Sequence, residues 1–411
     1  MDADVQTVAM IVGSFPPMPC GVGDYTAMLC RHLSSKGLRI HVITSKAAAE
    51  GPPPATGIII HAEQPGWSML QMGRVTRKLR EIEPDIVHIQ YPSAGFGRGL
   101  APAFLPAMLE SSDFYPPVVA TIHEYRISHP LRRMASSFLA HYAEGLIFPD
   151  QFERDVFYKR NRSLHDKPNR VIPVGASLPP SPEMSPEVRE VRRQARRHEW
   201  GIYDSRPVFL HFGIPSPSKG IDDILLALAR LNREDFDHHL VLAGRFEPER
   251  DSYHRYLRAL MMKLGLMSST TILGTLPAEE VADVMNACDV GLFPFRDGVS
   301  LRRTSWVAAL VNDLPTITTE PVDTIPGLAE SGNVRLVPRH NIPKLATAIL
   351  EIGSNPKVLE NMRLAISPMK GRFAWGDIAL RTVDFYYLVA RRKFDRTGAK
   401  KPITKVDRFS E

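Results

Sequence analysis

Residues 270–295 read TTILGTLPAEEVADVMNACDVGLFPF. A short apolar run, TTILG (270–274), ends in glycine. A helical pattern covers 277–287, and a second apolar run, DVGLFPF (289–295), follows at once. Strand, helix and strand in close succession make the βαβ unit of a parallel sheet. The fold then depends on whether the unit repeats.

It repeats on both sides. Downstream, DGVSLRRTSWVAAL (297–310) is a turn leading into a helix that opens with two arginines; LPTITTE (314–320), NVRLVP (333–338) and a helix at 341–353 follow. Upstream stand VFLHFG (208–213), the striped helix IDDILLALARL (221–231), HLVLAG (239–244) and a helix at 251–264. Before these, ASLPPSPEMSPEV (176–188) and the charged helix EVREVRRQARRHEW read as a linker. The N-terminal part carries its own series: TVAMIVGSF (7–15), a helix at 24–36, IHVITS (40–45), GIIIHA (57–62), a helix at 68–81, DIVHIQYP (85–92), VVATIHE (118–124), a helix at 131–143, GLIFPD (145–150) and RVIPVG (170–175). A last helical pattern spans 375–393. Two parallel α/β domains facing a cleft are expected, with ligands outside the carboxyl ends of the strands.

Length and composition agree. The chain has 411 residues, 44% hydrophobic and 23% charged, which suits an ordinary globular protein of two or three domains. Cys20, Cys30 and Cys288 show neither metal spacing nor a disulfide framework. No apolar run is long enough for a membrane helix, and the N-terminus MDADVQTVAMIVG has acids where a signal peptide needs positive charge. A cytoplasmic protein is expected. The formal net charge is +6, and residues 391–408, with eight Lys/Arg and two Asp, account for all of it. A broad nucleic-acid surface is therefore not expected.

Two loops invite a nucleotide reading. SFPPMPCGVGDYT (14–26) carries Gly21-x-Gly23 before a helix, but Thr26 stands where a dinucleotide fingerprint needs its third glycine. The second strand ends in Thr44-Ser45, with no acid for a ribose hydroxyl. The alternative is a structural turn, with Asp24 capping the helix. HFGIPSPSKGIDDIL places Lys219 in a proline-rich loop before a helix, without a G-x4-G-K-[ST] motif. An ammonium there suits a diphosphate, and a solvated lysine is the plain alternative. Asp297, Gly298, Ser300, Arg302 and Arg303 similarly stand at a strand–helix turn, where unpaired N–H groups bind anions.

Taken in order, these phrases resemble the glycosyltransferases of the GT-B fold, in particular glycosyltransferase family 4. FPPMPCGVGDYTAMLCRHLSSKGLRIHVIT, PDIVHIQYP, TIHEY, HFGIPSPSKGIDDILLAL, LVLAG, TTILGTLPAEEVADVMNACDVGLFPF and FAWGDIALRTVDFYYLV carry the likeness over nearly the whole chain. The resemblance implies two Rossmann-like domains and a C-terminal helix crossing back to the first. The expected boundaries are 1–175 plus 375–393 for the acceptor domain, 176–205 for a linker and connecting helix, 206–374 for the nucleotide-sugar donor domain, and 394–411 for a basic tail.

The resemblance also implies roles. Lys219 matches the lysine that neutralises the donor diphosphate, and Gly213 the glycine lying against the phosphates. His123 matches a strand-end histidine facing the transferred sugar; a satisfied core histidine is the alternative. Gly21 and Gly23 match the loop near phosphates and sugar. The family usually needs no metal and retains anomeric configuration, so protein cations must stabilise the leaving group. Its Glu-x7-Glu pair falls here on Ser300 and Ala308, its arginine after the strand glycine on Ile214, and its linker asparagine on Val174. Arg302 or Arg303 is therefore expected to share phosphate neutralisation with Lys219, and Asp297 to replace the sugar-contacting glutamate. Gly298, Val299 and Ser300 complete the expected donor set; Gln90, Tyr91 and Glu124 are expected on the acceptor side, with His88 and His129 nearby.

The implied activity is transfer of a sugar from a nucleoside-diphosphate sugar to a saccharide or lipid-linked acceptor, in envelope or exopolysaccharide assembly, without cofactor or metal. A non-catalytic nucleotide-sugar-binding protein is the alternative favoured by the missing glutamates. An epimerase needs acid–base carboxylates for which no clear pair is present. RVTRKLR (74–80) and RISHPLRR (126–133) suggest a peripheral contact with anionic membrane, against solvated helix faces as the default.

Overall fold

The computed structural model describes residues 5–397 except positions 19, 52–53, 127, 177–183, 323, 326 and 330–331. The chain divides into two compact units, Met1–Ile172 with Trp375–Glu411, and Pro173–Ala374. The tail beyond 397 lies outside the described residues.

In the first unit the strands are β1 (Thr7–Ile11), β2 (Arg39–Ser45), β3 (Ile58–Gln64), β4 (Ile86–Tyr91), β5 (Val118–Ile122), β6 (Gly145–Phe148) and β7 (Asn169–Val171). They pair in parallel in the order β3-β2-β1-β4-β5-β6-β7. The chain reverses direction beside β1, and the crevice at such a switch point is where ligands bind. Helices α1 (Gly21–Ser34), α2 (Met69–Ile82), α3 (Leu105–Glu110), α4 (Pro130–Tyr142) and α5 (Gln151–Arg160) make the crossovers. Central strands are buried along their whole length, as in TVAMI of β1 and VVATI of β5. Helices on both faces demand such continuous apolar runs.

The second unit begins with α6 (Pro186–Glu199) and continues through β8 (Val208–Phe212), α7 (Ile221–Asn232), β9 (His239–Ala243), α8 (Ser252–Lys263), β10 (Thr270–Gly274), α9 (Ala278–Ala287), β11 (Val290–Phe293), α10 (Thr304–Val311), β12 (Thr316–Thr319), β13 (Val334–Val337), α11 (Ile342–Gly353) and α12 (Pro356–Lys370). Its sheet is parallel in the order β10-β9-β8-β11-β12-β13. Separate apolar clusters cover the two faces. Leu210, Val241 and Trp306 mark one face, and Phe209, Leu225 and Ile349 the other. The final helix, α13 (Trp375–Thr397), packs on α1 of the first unit.

Two expectations need correcting. The charged helix α6, read as part of a linker, is anchored in the second unit. Arg193 and Arg197 each reach Asp289 at 2.7 Å, and the same carboxylate accepts the Val208 N–H at 2.8 Å. The helix after β11 does not open with the two arginines. It starts at Thr304, because the Arg303 and Thr304 amides close tight turns onto the Ser300 and Arg302 carbonyls.

Candidate functional site

In the second unit the strand ends of β8, β9 and β11 gather the sequence-predicted cations. Gly213 leaves β8 at φ +120° and Gly244 leaves β9 at φ +145°, conformations that favour glycine. A Cβ on Gly213 would stand 2.5 Å from Lys219 Nζ, and one on Gly244 would stand 2.5 Å from the Gly213 carbonyl oxygen. The Lys219 ammonium therefore lies directly over bare backbone, and Ser305 approaches the same glycine. Burial, helped by the nearby Arg303 guanidinium, pushes Lys219 down to about 8. A half-buried, crowded ammonium of this kind favours an incoming anion.

The turn after β11 supplies the rest. Arg303 pairs with Asp297 and lies 4.6 Å from the Phe295 ring centroid. The two residues expected to act separately, one on phosphate and one on sugar, thus hold each other. Gly298 takes φ +85° and its neighbour Val299 is 3% exposed, so Val299 offers only backbone to a ligand. Ser300 and Arg302 are half-buried on the same turn. Ala308, at the position of the family's second glutamate, is fully buried in the α10 core, and Ile214 is exposed to solvent.

What fixes this geometry was not foreseen. Arg296 grips Asp222 at 2.5 Å and Asp223 at 3.3 Å in the first turn of α7, and its own N–H donates to the Ser218 carbonyl at 2.9 Å. Tyr253 donates to Asp222 at 3.0 Å. This cluster ties the turn after β11 to both flanks of Lys219. His254 accepts the Glu247 N–H at 3.0 Å on Nδ1, so its Nε2–H donates to the Pro215 carbonyl at 3.2 Å. Thr318 and Thr319 of β12 donate to the Phe293 and Phe295 carbonyls at 2.7 and 2.6 Å. The acidic pair after Lys219-Gly220 was a visible signal, but helix-dipole compensation explained it equally well.

In the first unit His123 stands at the end of β5, 6% exposed. Its Nε2 is 2.7 Å from Gln90 Oε1, and the Gln90 amide nitrogen faces Met10 Sδ at 3.2 Å and His88 Nε2 at 3.3 Å. A thioether cannot donate, so the Gln90 group facing it is the NH2. His88 Nε2 then holds a lone pair, which also takes the Thr121 hydroxyl at 2.7 Å, and His88 Nδ1–H donates to Tyr386 Oη at 2.6 Å. Burial pushes His88 down to about 3, in keeping with a neutral ring. The chain of bonds places a proton on His123 Nε2. Tyr25 meets the ring edge-on at 5.2 Å.

Several expectations shift. Gln90 and Tyr91 are expected on the acceptor side. Gln90 is fully buried and acts on His123, and Tyr91 is 1% exposed, packed on Phe96. The sheet is covered on both faces there, so neither side chain can line an open surface. Glu124 and His129 are exposed. Asp24 does not cap α1: Cys20 is the N-cap, and burial raises the Asp24 carboxyl. Gly23 approaches the Ser14 carbonyl too closely for a Cβ, which would stand at 2.8 Å, whereas Gly21 has open space. Glu153 of α5 was missed; its buried carboxylate accepts the Tyr125 and Arg126 N–H groups at 2.9 and 3.1 Å and fixes the turn after His123. Among the described residues no group of three or more His, Cys, Asp or Glu comes together as a metal-ligand set, and no helix is long and apolar enough to cross a membrane.

Two Rossmann-like parallel-sheet domains, the second with a lysine over a glycine strand end, define the GT-B class of glycosyltransferases. The profile of Glycosyltransferase Family 4 matches residues 19–178, and that of Glycosyl transferases group 1 matches residues 206–355. One profile on each domain makes the chain a glycosyltransferase of the family 4 type. It is 22% identical over 324 residues to an alpha-D-kanosaminyltransferase from Streptomyces kanamyceticus, covering 74% of this chain and 76% of that protein. Its fold is similar to sucrose-phosphate synthase from Thermosynechococcus elongatus, with TM-score 0.71, 18% identity, and coverage of 95% of this chain and 100% of the other. It is also similar to Anabaena Alr3699/HepE in complex with UDP and glucose, with TM-score 0.68, 17% identity, and coverage of 93% and 99%.

Proposed function

We propose that this glycosyltransferase moves a sugar, with retention and without a metal, from a nucleoside-diphosphate sugar to a saccharide or lipid-linked acceptor in cell-envelope or exopolysaccharide assembly. The observation that carries the donor half is the Lys219 ammonium held over the Gly213 backbone. Its charge meets the negative charge that develops on the leaving diphosphate. Arg303 supplies further positive potential, and Asp297 sets its orientation. His123, held at the end of β5 through its Nε2 contact with Gln90 Oε1, is assigned to face the transferred sugar. UDP-sugars come first because HepE is seen with UDP.

The test is nucleoside diphosphate release from UDP-, GDP-, ADP- and TDP-sugars in excess chelator, with NMR of the released sugar's first-formed anomer. Release with the donor's anomeric configuration supports the reading. Inversion overturns retention, and loss of release in chelator overturns metal independence. Nucleotide binding without any release favours a non-catalytic sensor, the reading to which Ser300 and buried Ala308 point. Replacing Arg302 and Arg303 together by alanine is expected to weaken nucleotide binding; unchanged affinity overturns their donor role. Peripheral attachment through the basic segments 74–80 and 126–133 predicts flotation with anionic but not neutral liposomes.

A further inference from the structure

A groove in the first unit lies apart from the strand ends that carry His123. It runs between α2 and the outer strands β2 and β3. One cavity of about 320 Å³ is lined by Arg39, His41, His61 and Lys78, with Thr7, Glu81 and Ile82 at its border. A second, of about 270 Å³, shares His61, Lys78 and Glu81 and adds Ile43, Glu63, Gln64, Arg74 and Arg77. Helix α2 leaves the edge strand partly uncovered, and Ile59 of β3 is 49% exposed. Arg74, Arg77, Lys78 and Glu81 share one helical face over the gap.

The charge is not balanced within the groove. Lys78 is paired, with Glu81 at 2.7 Å and Glu63 at 3.9 Å. Arg39 and Arg74 make no ion pair among the described residues, Arg77 only acts at a distance on Glu81, and no acid besides Glu63 and Glu81 lines either cavity. His41 and His61 stack, with His41 Nδ1 3.0 Å from His61 Nε2. One proton fills that bond. The neutral pair therefore presents a single outward N–H and a single outward lone pair, and taking up a proton makes both outward nitrogens donors. At the other end Gln64 is 4% exposed, and its amide oxygen meets no donor among the described residues.

We propose that this groove binds a small phosphorylated polyol: the phosphoryl group on His41, His61 and the unpaired arginines, and a hydroxyl on the Gln64 oxygen. The two cavities together suit a molecule of monosaccharide-phosphate size. Binding takes up a proton, because the anion favours the doubly donating histidine pair. In the free protein burial holds both histidines below their ordinary value, with His61 and Arg39 acting on His41, and Lys78 on His61 against Glu63 and Glu81. Affinity consequently falls as pH rises through neutrality.

Calorimetry on the full chain tests this with sulfate, inorganic phosphate and glucose 1-phosphate as probes. Sulfate stays dianionic from pH 6 to 8, so its pH dependence reports the protein alone. Sulfate affinity is expected to fall up to about tenfold per pH unit for one proton taken up. Glucose 1-phosphate is expected to bind at least about tenfold tighter than phosphate, and Gln64→Leu to erase that difference. His61→Gln is expected to leave weak binding without pH dependence, and Lys219→Ala to leave the groove unchanged. Imidazole NMR signals of His41 and His61 should move on titration. Unmoved signals, or full affinity and pH slope in both His61→Gln and Arg77→Gln, overturn the site; a sugar phosphate no tighter than phosphate overturns the polyol assignment. Binding to phosphatidic acid vesicles without binding to the soluble probes overturns it in favour of a lipid headgroup.

Discussion

Replacing Lys219 by methionine is expected to stabilise the protein while removing nucleotide binding. The lysine falls from an ordinary 10.5 to about 8, chiefly through burial. Each unit is worth about 1.4 kcal/mol, so the charged form carries a penalty of about 3 kcal/mol. The sign follows from proton counts. Below pH 8 the lysine is charged in both folded and unfolded chains, and the penalty is fully present. Between pH 8 and 10.5 the folded form releases its proton while the unfolded form keeps it, so wild-type stability recovers across that window. Methionine matches the stem and removes the charge. The variant should therefore melt several degrees higher at pH 7, and the gap should close by about pH 10. Calorimetric melts at both pH values read this directly. Saturating UDP should reverse the order at pH 7, since a ligand at about 1,000 times its dissociation constant adds about 4.1 kcal/mol to wild type alone. A variant less stable than wild type at pH 7, or a gap that does not change with pH, refutes the argument that a bare ammonium is stored there for an anion.

Other substitutions probe the supports. Arg296→Gln leaves Asp222 and Asp223 without their cation and should cost about 1–3 kcal/mol, with nucleotide affinity down by about tenfold as the Lys219 loop loosens; both are read from melts and titration. Gly213→Ala places a methyl against Lys219 Nζ at an unfavourable φ, so it should abolish nucleotide binding in a chain that still folds by circular dichroism. Tyr386→Phe should cost about 1 kcal/mol and let His88 change tautomer, which nitrogen-15 spectra of the histidine rings would show; a wild-type pattern for His88 and His123 refutes the bonding order assigned here.

The two-domain architecture is legible in the sequence because parallel strands buried on both faces must be continuous apolar runs. VVATI and VFLHF leave little alternative once helices separate them. Lys219 with Gly213 is legible for a related reason: one short loop carries the whole motif. Features joined over long sequence separation are not. Nothing local ties Arg296 to Asp222, Glu153 to the Tyr125 amide, or Tyr386 to His88. The alternation that flags β4 also cannot say which side opens to ligand, so Gln90 and Tyr91 were set on a surface that the helices cover. Arg302 and Arg303 were read into a helix because turn hydrogen bonds to Ser300 and Arg302 have no sequence signature. Helices α5 and α12 carry useful contacts but weak apolar stripes, and they were not anticipated.

The central claim is a working nucleotide-sugar donor site built on Lys219. Its most direct test is calorimetric titration of UDP, GDP, ADP and TDP into wild type and Lys219→Ala. We expect one nucleotide to bind wild type saturably, and to bind the variant at least about tenfold more weakly. No binding by a well-folded wild type, or equal affinity in the variant, contradicts the claim.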